Sequence, residues 1–186
     1  MGRLTYTLNV SLDGYVEGPN HDLDWANVDE ELHTWFNQQA RAVDASLYGR
    51  GMYELMAGFW PDVATDASAP AYVREFAEIW AGTPRYVFSS SLPSVDHNST
   101  LVRGDPREEL ERIRERHPGD LDLGGPTLAA SFIRAGLVDE FCLLVHPVVI
   151  GSGTPFFPAL DTQLHLKLVD SHLFDSGVQL LAYRPA

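Results

Sequence analysis

Apolar and polar residues alternate through "LTYTLNVSL" (4–12), a period of two that predicts a strand, and Asp13-Gly14 supplies the turn that closes it. After the loop "GPNHD" the period changes. From Asp29 to Val43, apolar Leu32, Trp35, Phe36, Ala40 and Val43 recur at helical spacing. "ASLYG" predicts a short buried strand ending at Gly49, with a helical turn beginning near Arg50. Pro70 opens a helix through Trp80 whose apolar stripe is Val73, Phe76, Ala77 and Trp80. "RYVFSSS" and "STLVRG" predict two further strands. Asp105 and Pro106 have the residue types of a cap and a first helical residue, and Pro118-Gly119 stops the helix they start.

A strand then runs into Gly124-Gly125, and a helix extends from Pro126 to Ala135, with Gly136 as its stop signal. Beyond it, "VDEFCLLVHPVVIG" and "LHLKLVDSHLFDSGVQLLAYRP" are strand-rich, with a hairpin connection at Asp175-Ser176-Gly177. Alternating strands and helices that finish in a hairpin predict one α/β domain over residues 1–186. Its central sheet is mostly parallel, flanked by helices, with a C-terminal antiparallel hairpin.

Composition narrows the functional classes. The 186 residues carry a formal charge of −13, a surface that repels phosphate backbones and argues against nucleic acid or an anionic membrane as partner. A small anionic ligand stays open, because local arginines and a helix N-terminus override the global field. A single cysteine, Cys142 in "FCLLV", excludes an internal disulfide and a cysteine-based zinc cluster, and reads as a core thiol. The histidines show no metal-ligand spacing. The N-terminus lacks the charged-then-apolar layout of a signal peptide, which predicts a cytoplasmic protein.

Ligands of open α/β sheets bind beyond the carboxyl ends of the strands. Three such ends carry suitable residues: Gly49-Arg50, the hydroxyl row Ser89-Ser90-Ser91, and Gly124-Gly125-Pro126-Thr127. Arginine grips phosphate bidentately, and backbone N–H groups at a helix start face whatever lies above the strand. The glycine pair has two readings, a tight strand-to-helix turn or close approach of a ligand to the backbone. Together the three ends point to a phosphate-bearing ligand. Asp29, Glu30 and Glu31 crowd the start of the first helix, where acids complement the helix dipole, and Asp29 shares a face with Leu32 and Phe36. Asp13 reads as a turn residue, and His146 as a substrate contact or a sheet cap.

"NVSLDGYVEGPN", "DASLYGRGMYE", "RYVFSSSL", "LGGPTLAASFIRAGLVDEF" and "HPVVIGSGTPFF" occur in that order over nearly the whole chain. They resemble the dihydrofolate-reductase-like family, in its riboflavin-biosynthesis reductase (RibD C-terminal domain) branch. The resemblance implies NADPH as cofactor, a small-molecule substrate and a homodimer. It also implies that Gly124 and Gly125 lie under the cofactor's pyrophosphate beside Pro126, Thr127 and Leu128, and that Gly49 and Arg50 face the adenosine phosphate. Ser89 and Ser90 would lie beside the adenosine, and Leu8, Asn9 and Val16 would border the nicotinamide. Met52 stands where the family usually carries threonine. The deaminase signature of the bifunctional riboflavin enzyme is absent from the sequence. The activities implied are reduction of the ribosylamino-pyrimidine intermediate of riboflavin synthesis or of another small heterocyclic, imine or carbonyl compound. The alternatives are a dihydrofolate reductase, for which the resemblance implies a carboxylate on the first helix facing the substrate, with Asp29 as the candidate, and a non-catalytic dimeric relative.

Overall fold

The computed structural model describes residues 2–186. Its first strand, β1 (Leu4–Ser11), pairs in parallel with two strands that lie far along the chain, β6 (Leu121–Gly124) and β7 (Glu140–His146). On the other side of β6 come β3 (Ala45–Gly49), β4 (Arg85–Phe88) and β5 (Ser99–Val102), all parallel. Antiparallel β10 (Gln179–Pro185) and β9 (Leu166–Leu173) extend the sheet beyond β7, giving the order β5-β4-β3-β6-β1-β7-β10-β9. A separate ribbon pairs β2 (Tyr15–Glu17) with β8 (Thr154–Pro155).

Helices cover both faces of the sheet. The α4 (Pro106–Arg116) and α5 (Pro126–Arg134) helices place Leu110, Ile113, Ala129 and Phe132 against Leu4, Tyr6, Leu121 and Leu123. These four strand residues alternate with polar ones, so they share one face of the sheet. On the opposite face, Leu32 of α1 (Glu30–Ala42) packs with Cys142, Leu144 and Leu180. Tyr48 and Val87 pack there too, against Met52 and Met56 of α2 (Arg50–Thr65). The α3 helix (Ala71–Gly82) lies against both α1 and α2.

Most expected elements are present, with three local differences. The strand in "RYVFSSS" stops at Phe88, because Ser89 Oγ accepts from the N–H groups of Ser91 and Leu92 and turns the chain. The helical turn expected near Arg50 continues to Thr65, through Pro61. The strand in "VDEFCLLVHPVVIG" ends at His146, and Asp13 fastens the segment beyond that strand by accepting from Ile150 N at 3.2 Å and Gly151 N at 2.8 Å. No described helix is long and apolar enough to cross a membrane.

Candidate functional site

Adjacent strands β3 and β6 send their following helices to opposite faces, α2 to one and α5 to the other. This divergence opens a crevice at their carboxyl ends, where open α/β sheets bind ligands. A cavity of about 630 Å³ lies there. Leu8 and Asn9 line it from β1, Val16 from β2, Gly49 from the end of β3, and Gly125, Pro126, Thr127 and Leu128 from the start of α5.

The two helix starts at this cleft differ from those of α1 and α4. Asp29 caps α1, accepting from Leu32 N at 2.9 Å, and Asp105 caps α4. At α2 and α5 the cap positions are Gly49 and Gly125, with no side-chain cap on either. Their first-turn N–H groups therefore remain available to an anion beside them. Arg50 Nε pairs with Glu54 at 2.9 Å and its Nη1 donates to Ser91 Oγ at 3.2 Å, holding the guanidinium over the loop after β4. Arg103, just beyond β5, donates to the carbonyls of Ser90 (2.8 Å) and Leu92 (2.5 Å). Together Arg50 and Arg103 form a cationic shelf flanking the hydroxyls of Ser89 and Ser90. Arg103 was not singled out in the sequence; its position one residue past a strand end was the available signal.

Asn9 is fixed by His146, whose Nε2 lies 3.0 Å from Asn9 Oδ1. His146 is buried, which lowers its pKa and keeps the ring neutral. Trp25, on the loop before α1, meets His146 edge-on and lines the cleft.

Five residues of the expected site have structural surroundings of their own. Asp29 lines neither large cavity; its carboxylate caps α1, because the N-cap geometry turns that oxygen back onto Leu32 N. At Gly124 a Cβ would lie 2.7 Å from the Tyr48 ring, so the glycine admits that ring. Gly125 has φ +92°, and a Cβ on it would lie 3.0 Å from Met52 Cβ, so turn geometry and packing already require glycine there. Ser89 and Ser90 stand outside the main cleft, on the shelf.

Residues 3–180 match the RibD C-terminal domain family. The chain belongs to that family. It is 32% identical over 182 residues to the uncharacterised protein YyaP of Bacillus subtilis (strain 168), covering 97% of this chain and 94% of YyaP. A candidate riboflavin biosynthesis protein from Shewanella sp. PV-4 superposes with a TM-score of 0.78 at 21% identity, covering 99% of each chain. Dihydrofolate reductase from Enterococcus faecalis, solved with NADP(H), superposes with a TM-score of 0.65 at 15% identity, covering 99% of this chain and 96% of that one. The fold is that of dihydrofolate reductase.

Proposed function

We propose that this protein is a cytoplasmic NADPH-dependent reductase of a small heterocyclic, imine or carbonyl compound. The observation that carries the reading is the pair of uncapped helix N-termini, at Gly49 and Gly125, opening on one crevice beside an arginine shelf. The residues present fit the cofactor. Free N–H groups of α5 at Thr127 and Leu128 and of α2 at Arg50 would hold its diphosphate, and Arg50 with Arg103 would take the adenosine phosphate, beside Ser89 and Ser90. Leu8, Asn9 and Val16 would border the nicotinamide, with Asn9 held in one rotamer by neutral His146. When bound, NADPH would supply a hydride to the electrophilic carbon of a C=N or C=O group, leaving as NADP+, and a proton from solvent would complete the reduction at nitrogen or oxygen. The chain's own contribution is orientation and charge placement.

Dihydrofolate reduction, which would need an acid at Asp29, is disfavoured by that residue's capping role. A phosphoribosyl substrate of riboflavin synthesis would need a second phosphate site, and Arg41, the one arginine on α1, is paired to Glu75.

The test is a fluorescence and thermal-shift titration with NADPH and NADH. Saturable binding with preference for NADPH is expected. Arg50→Ala and Arg103→Ala should each lower NADPH affinity about tenfold and leave NADH nearly unchanged, the loss of one charge-assisted contact. No response to either nucleotide would overturn the reductase reading in favour of a non-catalytic relative.

A further inference from the structure

Central strands of a parallel sheet covered on both faces are normally apolar on both. Here one face of four central strands is not. Ser46 of β3, Asp122 of β6, Thr5 of β1 and Glu140 of β7 stand side by side in register, about 4.8 Å from strand to strand. Polar and short, they leave the space under α1 and α3 unfilled. The result is a second chamber of about 310 Å³, walled on the helix side by Phe36, Met52, Met56, Phe76 and Trp80. It shares Leu8, Asn9, Met52 and Met56 with the cofactor cleft, so the two adjoin.

Most ionisable groups of this chamber are paired or neutral. Arg3 bridges Asp120 at 3.1 Å and Glu140 at 3.9 Å, and Glu140 also accepts from Arg184 at 2.7 Å. Burial raises the pKa of the Tyr48 hydroxyl and pushes the Cys142 thiol up to about 12, so both are neutral. Arg85, in the same row on β4, lies 3.9 Å from the Trp80 ring centre and donates to the Thr83 carbonyl at 2.9 Å and to those of Trp80 and His97. The helices α1, α2 and α3 add no charged side chain to the lining. His33 of α1 packs on Phe76 without lining the chamber, and burial lowers its pKa. Among the described residues, Asp122 alone of the chamber's carboxylates has neither an ion pair nor a hydrogen bond. Burial pushes its carboxyl up to about 7.

An unpaired carboxyl between aromatic and thioether walls is costly, and a ligand with matching charge relieves that cost. We infer that the chamber is the substrate pocket, and that Asp122 selects a non-phosphorylated small molecule carrying a protonated nitrogen, an amine or amidine. The inference rests on the reductase reading only for the word substrate; the charge preference belongs to the chamber itself. A cation meets Asp122 in a charge-assisted hydrogen bond and stacks on the aromatic walls. Phosphate meets no free cation there, which separates this chain from reductases of phosphoribosyl compounds.

Three probes of one shape and different charge test this: benzamidine, benzamide and benzoate, with inorganic phosphate as a fourth. Each is titrated calorimetrically into the full chain, with and without NADPH. Benzamidine should bind at least tenfold tighter than benzamide, and benzoate and phosphate should not bind. Because the carboxylate form is required, benzamidine affinity should rise nearly tenfold per pH unit from pH 5 to 6.5 and level off above pH 7. Asp122→Asn should lose tenfold or more of that affinity and bind NADPH as wild type does. If that variant does not fold, the wild-type pH profile decides alone. Failure of benzamidine to bind, equal binding of benzoate or phosphate, a flat pH profile, or undiminished binding by folded Asp122→Asn would each overturn the inference. Asp122-dependent benzamidine binding without NADPH binding would instead overturn the reductase reading and leave the chamber's preference standing.

Discussion

Asp29 and Asp122 are the same residue type in opposite circumstances. Asp29 sits at a helix start, where Leu32 N–H donates to its carboxylate. Asp122 sits mid-strand on a central β6, with no donor directed at it. The sequence drew attention to Asp29 because acids near a first helix are conspicuous; Asp122 looked like one polar residue in an alternating strand. Its environment is written into the stability of the fold. Its pKa is raised from 3.8 to about 7, so the folded state binds a proton more tightly than the unfolded one. That contribution is fully present below about pH 4 and is lost as pH rises through 7. Asp122→Asn is therefore expected to stabilise the protein at pH 8, by up to about 4 kcal/mol, and to leave it unchanged near pH 4. Urea denaturation at the two pH values checks this. Equal effects at both would mean that the carboxyl is not desolvated.

At the scale of elements, the β6-to-α5 turn carries the most information. The glycine pair was legible as a turn or a ligand approach, and the structure adds a third demand, made by neighbours across the fold. Gly124 leaves room for Tyr48 of β3, and Gly125 combines a positive φ with close contact to Met52 of α2. Neither neighbour is visible from the local sequence, because both lie more than seventy residues away. Gly125→Ala is expected to destabilise the fold by about 1–3 kcal/mol through backbone strain. A wild-type urea midpoint for this variant would show that the turn relaxes. Binding losses on this variant alone therefore do not report on the cofactor, whereas Arg50→Ala, on an exposed guanidinium, does. The β2–β8 ribbon escaped the sequence reading for a similar reason. Its strands are 3 and 2 residues long, too short for a period, and they pair across well over a hundred positions.

For the molecule as a whole, the sheet order leaves two edges. One is the short β5; the other is β9, eight residues long and exposed along nearly its whole length. Leu168, Val169 and Leu173 are 48%, 41% and 68% exposed on that strand. A long edge with apolar side chains is a template for pairing with another strand. The expected outcome is a homodimer in solution, and Val169→Lys, which puts a charge on that edge, is expected to give a monomer. Light scattering on the eluting protein measures both, and a monomeric wild type would contradict the expectation.

The amino-acid sequence by itself determined the kind and order of most elements, because hydrophobic period, caps and turn residues act over a few positions. It also carried the five motifs that mark the family, and with them eight residues that line the cleft, Leu8, Asn9, Val16, Gly49 and Gly125 to Leu128. The tertiary structure decided what depends on residues distant in the chain. It set β6 between β3 and β1, so that helices diverge and open a crevice at Gly49 and Gly125. It brought Arg103 beside Arg50 through the loop after β4. It placed Ser46, Asp122, Thr5 and Glu140 in one row, turning alternations that are unremarkable singly into the polar floor of a chamber. Strand register is a pairing between distant segments, and no single segment contains it.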